Sequence, residues 1–394
     1  MKLARRLEQI EPFYVMEIAK AAAALARGPA CDPARGGRPM IFLNIGEPDF
    51  TAPPPVQAAA QAAIAAGRSQ YTDALGLPAL RLALSDWYRS RHGLEIGAER
   101  IVITAGASAA LQLVCLALFE DGDEVLMPDP SYPCNRHFVA ATGARAVALP
   151  AGPAQRYQLD ADCVRKHWTD RTRAVLLASP SNPTGTSIAP DELRRIAQTV
   201  RERGGLTLVD EIYLGLSYDE RYGGSALALG EDLVSINSFS KYFCMTGWRL
   251  GWLVLPKALV PAVEKLQQNL YICASTIAQH AALACFGPDA LAEYERRRRA
   301  FRERRDFIVP ALNALGLTVP VTPDGAFYAW ADCRAHDPSS WDFCLRVMEQ
   351  AQVALTPGRD FGPATAESYF RLSFASSLSQ LQEASFRLSR LLAN

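Results

Sequence analysis

"DLVSINSFSKYFCMTGWRLG", residues 232–251, opens as an apolar, β-branched run. It then presents Ser238, Ser240 and Lys241 and, eight positions later, Arg249. The run has the length and composition of a buried strand. A lysine placed directly after Ser-x-Ser at a strand end makes poor packing material, and a solvated lysine needs no such company. The same order recurs upstream. "RAVLLASPSNPTG" (173–185) ends a strand-like run and delivers Asn182, and "GLTLVDEIY" (205–213) delivers Asp210 and Tyr213. The three polar deliveries are each about one strand–helix unit apart. In open α/β sheets ligands bind beyond the carboxyl ends of the strands, so all three can face one crevice.

Further apolar runs, "RIVIT", "DEVLMP", "ARAVAL" and "GWLVL", are interleaved with helical patterns such as "DELRRIAQTVRERG". That order predicts an α/β fold, a mainly parallel sheet flanked by helices on both faces. Strand-like runs in "LTVPVTPDGAFYAW" and "ESYFRLSFASS" predict a smaller α+β domain formed by the two chain ends. The expected division is 1–45 as an N-terminal segment joining the small domain, 46–285 as the large domain, and 286–394 as the C-terminal small domain. "YERRRRAFRERRDFI" is expected to be a connecting helix: Tyr294, Phe301 and Ile308 share one stripe, and the arginines form a solvated basic face.

The chain has 394 residues, 49% of them apolar, with 41 basic and 41 acidic side chains. This balance argues against general affinity for nucleic acid or anionic membranes. The uncharged stretch Ile101–Phe119 approaches the length of a spanning helix. Its order, a β-branched run, then Gly106 and Ser108, then leucines at helical spacing, predicts a buried strand, a turn and a core helix instead. Nine scattered cysteines without a Cys-x-x-Cys pair suit free thiols in a reducing compartment, and no zinc spacing is present. The start lacks a signal-peptide pattern, so a cytoplasmic location is expected.

Thr104-Ala105-Gly106-Ala107-Ser108 runs from strand into helix, where a small-residue turn and helical N–H groups can hold an anion. Neither a dinucleotide nor a P-loop glycine pattern is present. Together these residues meet the needs of pyridoxal phosphate. Lys241 can form the Schiff base. Asp210 can face the pyridine nitrogen and make the ring an electron sink. Asn182 and Tyr213 can donate to the ring phenolate. Ser238, Ser240 and the Ser108 turn, with Arg249, can bind the phosphate, and Tyr132 can stack on the ring. Each has a plainer alternative: Asp210 as a helix cap, Asn182 as a turn residue, Arg249 in a surface ion pair, Tyr132 as core filling.

The chain also resembles the fold-type I, class I/II aminotransferase family. "NIGEPDF", "YTDALGLPALR", "SPSNPTG", "VDEIY", "SFSKYFCMTGWRLG" and "YFRLSFASS" occur in the family's order. The resemblance implies Lys241, Asp210 and Tyr213 as the catalytic residues, and Ala107, Ser108, Ser238, Ser240 and Arg249 at the phosphate. It places Tyr132 on the ring face and Asn182 beside the phenolate oxygen. It also implies a homodimer in which Tyr71 reaches the neighbouring subunit's cofactor. Gly46, through its backbone, and Arg371 are implied to hold the substrate α-carboxylate beside Asn182. The implied activity is ping-pong transfer of an amino group between an L-amino acid and a 2-oxoacid, with Lys241 as the base for the α-proton.

Bacterial aspartate-type relatives often place a lysine at the position of Ser108, and another branch draws an arginine from the partner. "LYICASTIAQH" contains no arginine. Neutral or aromatic donors are therefore expected, with Phe13, Tyr14, Phe327 and Arg359 near the substrate side chain. A carbon–sulfur lyase or an α-oxoamine synthase on the same fold is an alternative. A non-catalytic sensor is another, although a family-like region beginning within the first fifty residues is expected to leave no room for an added DNA-binding domain. A cofactor-free binding module is a third.

Overall fold

The computed structural model describes residues 2–364 and 366–393. After a short strand β1 (Ile41–Phe42), seven strands form one sheet. They are β2 (Ile101–Thr104), β3 (Glu124–Asp129), β4 (Arg145–Pro150), β5 (Thr172–Ala178), β6 (Leu206–Asp210), β7 (Val234–Ser238) and β8 (Gly251–Val254). Their order is β2-β8-β7-β6-β5-β3-β4. Strand β8 runs antiparallel to both of its neighbours, and the remaining pairs are parallel. These strands coincide with the apolar runs of the sequence.

The period of two along each strand splits the core. Val125 and Met127 of β3, with Ala174 and Leu176 of β5, pack on the helices Ala107–Leu118 and Val260–Leu270. Leu126, Val175, Leu177 and Val209 face the other way, onto Ala161–His167 and Pro190–Glu202. Helices thus cover both faces, as a near-continuously apolar parallel sheet requires. Ile101–Phe119 resolves into β2, a turn at Gly106 and a buried helix. Among the described residues no helix is long and apolar enough to cross a membrane.

Three further strands, β9 (Tyr328–Asp332), β11 (Thr356–Pro357) and β12 (Tyr369–Ser373), form an antiparallel sheet in the order β11-β12-β9. Strand β10 (Val353–Ala354) pairs in parallel with β1, so the N-terminal segment is stitched to the C-terminal part of the chain. The helix Pro288–Ala314 spans the two regions. Its fully buried Tyr294 packs on Phe243 and its Phe301 on Phe327.

The basic face of that helix is not uniformly solvated. Arg297 and Arg304 are buried, each three residues after an apolar residue of the stripe and so beside it on the helix. Arg304 makes a two-pronged ion pair with Asp49 at 2.8 and 2.9 Å, and Arg297 donates to the Thr51 carbonyl at 2.6 Å. Both guanidinium groups lie over the Phe50 ring at 5.0–5.1 Å. The segment that follows Gly46 is thereby fastened to the connecting helix.

Candidate active site

The carboxyl ends of β2, β3, β5, β6 and β7 and the start of β8 lie along one edge of the sheet, and the polar groups collect there. After β2, Gly106 adopts φ +85°, and a Cβ on it would lie 2.6 Å from the Arg249 guanidinium. A side chain is excluded by both conformation and space. A Cβ on Gly251, the first residue of β8, would come within 2.9 Å of the Ala107 nitrogen. These two glycines let the β2 turn, the β7 turn and Arg249 close on one another. Arg249 itself sits at φ +52° and donates to the Thr246 carbonyl at 3.0 Å. Thr246 donates in turn to the Ser240 carbonyl at 3.0 Å, and the Ser240 N–H donates to Ser238 Oγ at 3.0 Å. Two hydroxyls, a helix start and a guanidinium thus converge on one end of a cavity of about 240 Å³.

Lys241 enters the middle of that cavity. Its amine donates to the Gly46 carbonyl at 2.6 Å and lies 5.8 Å from the Tyr213 ring and 5.9 Å from that of Phe327. Burial, with Arg371 as the next cause, lowers its pKa to about 8. The lysine is therefore closer to a free, nucleophilic amine at neutral pH than an exposed one. Asp210, at the end of β6, is buried and accepts from the Ile212 N–H at 3.1 Å. Burial pushes its pKa up to about 7, which the Ile212 N–H and Lys241 partly oppose. A cationic N–H brought against this carboxylate would restore its charge.

At the other end Arg371 is buried. Its Nη1 donates to Asn182 Oδ1 at 2.9 Å and its Nη2 to the Asn44 carbonyl at 2.8 Å, while buried Nε has no partner. The Tyr328 ring lies 4.5 Å beneath the guanidinium, and Tyr328 and Tyr213 share a hydroxyl–hydroxyl bond of 2.7 Å. A Cβ on Gly46 would meet the Tyr328 hydroxyl at 2.6 Å, so this wall is built around the missing side chain.

Of the residues expected at the site, Gly46, Ala107, Ser108, Tyr132, Asn182, Asp210, Tyr213, Ser238, Ser240, Lys241, Arg249 and Arg371 line this single cavity. Gly106 stands at its rim, against Arg249. Tyr71 does not line it and is 79% exposed. Phe13 lines the cavity, with its ring edge-on to Tyr132 at 6.3 Å. Phe327 lies behind the wall, fully buried and edge-on to Tyr213 at 5.5 Å. Tyr14 and Arg359 also do not reach it: Arg359 stacks on Tyr14 at 4.4 Å and on Trp341 at 4.9 Å.

Sequence reasoning missed Tyr328, Asn44, Thr246 and the helix Tyr14–Ala26, which lends Val15, Met16 and Ala19. Phe327 and Tyr328 both pack edge-on to Tyr213, at 5.5 and 5.7 Å, but of the two only Tyr328 lines the cavity. Thr246 sits inside the opening stretch itself.

A parallel sheet that brings an anion cradle, a buried carboxylate and a lysine of lowered pKa to one crevice defines an α/β enzyme built for a phosphorylated aldehyde cofactor. The profile of the family "Aminotransferase class I and II" matches residues 38–388. The valine–pyruvate aminotransferase of Mycobacterium tuberculosis is 38% identical over 380 residues, covering 96% of each chain. The aspartate/prephenate aminotransferase of Thermus thermophilus is 33% identical over 99% of this chain and 98% of its own. A crystal structure of an aminotransferase from M. tuberculosis superposes with TM-score 0.94 at 37% identity, covering 100% and 99% of the two chains. The T. thermophilus aspartate aminotransferase with maleate gives 0.91 at 32%, covering 99% and 100%.

This chain belongs to the class I and II aminotransferase family. It is a transaminase dependent on pyridoxal 5'-phosphate, working by the ping-pong mechanism general to the family. The orphaned Arg371 Nε, the glycine-lined cradle at Gly106 and the lowered pKa of Lys241 fit such a cofactor with an amino acid beside it.

Proposed function

We propose that the enzyme takes its amino group from neutral, apolar L-amino acids, aliphatic or aromatic, and that each cation in the cavity has a fixed task. Ser238, Ser240, Arg249 and the Gly106–Ser108 turn would hold the cofactor's phosphate, Asp210 its ring nitrogen, Asn182 and Tyr213 its phenolate oxygen, Tyr132 a ring face and Lys241 its aldehyde carbon. When bound, the cofactor supplies an exchangeable carbonyl and an electron-withdrawing ring. Arg371 and the Gly46 backbone receive the α-carboxylate, and Asn182 steadies the guanidinium. The Lys241 amine, once free, would stand where it can take the α-proton, and its lowered pKa gives it a larger unprotonated fraction than an exposed lysine has. Asp210, facing a ring N–H, would be held as an anion and would keep that nitrogen protonated.

One observation carries the substrate reading. Among the described residues lining the cavity the cations are Lys241, Arg249 and Arg371, so none is left for a second carboxylate, and apolar wall is supplied by Phe13, Val15, Met16, Ala19, Ile45 and Leu111 among others. A relative 38% identical is named a valine–pyruvate aminotransferase. Amino transfer from valine, leucine, phenylalanine, alanine, aspartate and glutamate to pyruvate and 2-oxoglutarate tests it. The apolar donors should exceed aspartate about tenfold or more in kcat/KM, and aspartate or glutamate leading the panel would contradict it.

The same reading includes a homodimer in which Tyr71, exposed and away from its own subunit's cavity, serves the neighbouring one. It keeps the division 1–45, 46–285 and 286–394, supported by the pairing of β1 with β10 and by the spanning helix. It also keeps a cytoplasmic location, supported by nine unpaired thiols.

A further inference from the structure

Tyr14 and Arg359 stand one layer behind the apolar wall, and what they do there has a specific chemistry. The helix Tyr14–Ala26 presents Val15, Met16 and Ala19 to the cavity, with Phe13 just ahead of it. The first N–H groups of a helix have no partner within it, and Phe13, at the cap position, has no side-chain acceptor to offer. The acceptor comes from the far end of the chain. Asp360 Oδ1 accepts from the Tyr14 N–H at 3.0 Å, and Oδ2 accepts from the Val15 N–H at 2.5 Å. Asp360 is 1% exposed, in the turn after β11, and does not line the cavity. A carboxylate at a helix start is favoured by those N–H groups and by the helix dipole.

The adjacent Arg359 holds the same turn from outside, its guanidinium 4.4 Å over the Tyr14 ring. Arg136 braces the assembly, donating to the Asp360 carbonyl at 2.7 Å and to Glu11 at 3.0 Å. The next residue, Phe361, touches the Arg371 guanidinium at 5.1 Å, so the turn has a second route to the site, toward the α-carboxylate. The two routes predict different losses. Slack in the helix affects only substrates whose side chains reach Phe13, Val15 and Met16, whereas a disturbed Arg371 affects every amino acid alike.

We infer that Asp360 and Arg359 form a specificity latch, two positioning residues that hold the first turn of the Tyr14–Ala26 helix against the cavity so that its apolar residues receive a branched or aromatic side chain. This rests on the proposed apolar donor. The test is the half-reaction of the cofactor-loaded enzyme with a single amino acid, followed by cofactor absorbance, for leucine and for alanine, whose methyl group is too short to use the wall. Asp360→Ala should lower the second-order constant for leucine about tenfold and leave that for alanine within about twofold. Asp360→Asn, which keeps one acceptor oxygen, should recover most of the loss. Amide hydrogen exchange across residues 14–19 should quicken in Asp360→Ala. Where that variant folds poorly, Arg359→Met is put to the same comparison, with a smaller loss confined to leucine. Equal losses for both amino acids, no loss for either, or unchanged exchange across 14–19 would overturn the latch. A wild-type enzyme inactive toward every apolar amino acid would instead overturn the substrate reading, and the exchange measurement still decides the latch.

Discussion

Lys241 holds its proton more weakly than an exposed lysine because the cavity offers its charge little water and sets Arg371 nearby. The sign is direct: below about pH 8 the amine is protonated and cannot attack a carbonyl, and above it the amine is free. Capture of pyridoxal phosphate by the apoenzyme, followed by absorbance, should therefore quicken as pH rises through about 8 and level off above it. A rise continuing to the ordinary lysine range, near 10, would refute the environment assigned to it. Asp210→Ala should still bind the cofactor yet lose about a hundredfold or more in turnover, because nothing then keeps the ring nitrogen protonated; near-normal kcat would remove that role. Arg371→Ala should raise KM about thirtyfold or more for every amino acid tested, the usual cost of removing one partner from a buried charge pair. Lys241 and Asp210 were legible in the sequence because a polar group after an apolar β-branched run has few other reasons to be there, whereas Arg371, inside β12, was reached only through the family resemblance. Tyr328 and Asn44 were not legible, because they sit within apolar stretches and acquire their task only when Arg371 is packed against them.

The connecting helix shows where pattern reading succeeds and fails within one element. The seven-residue recurrence of Tyr294, Phe301 and Ile308 was readable, and all three are fully buried. The burial of Arg297 and Arg304 was not, since a guanidinium enters a core only where a particular partner awaits it, and Asp49 lies far away in sequence. Arg304→Met should cost about 2 kcal/mol in denaturant unfolding, below the range for fully buried pairs because Asp49 retains some exposure. Phe301→Ala should cost about 4 kcal/mol. The turn at Gly106 offers a sharper check on the anion cradle. Gly106→Ala places a methyl group against Arg249 in a strained backbone conformation, so cofactor affinity should drop in equilibrium dialysis and the apoenzyme should lose about 1–3 kcal/mol of stability.

Across the whole molecule, the alternation of runs and helical patterns was enough to read a mainly parallel sheet with covered faces, because a strand buried on both sides must be apolar throughout. The reversed strand β8 and the pairing of β1 with β10 were not readable, since neither direction nor a two-residue pairing leaves a trace in composition. Tyr71 marks the next scale, that of the proposed dimer. Sedimentation should give twice the mass of the chain, and Tyr71→Phe should weaken cofactor binding about tenfold without touching the fold. A monomer with full activity would contradict the shared site.

The most direct measurement is borohydride reduction of the enzyme loaded with pyridoxal phosphate, followed by digestion and peptide mass spectrometry. A single phosphopyridoxyl group on the peptide containing Lys241, absent from Lys241→Ala, is the predicted result. A tag on another lysine, or none on protein that is fully active, would contradict the account at its centre.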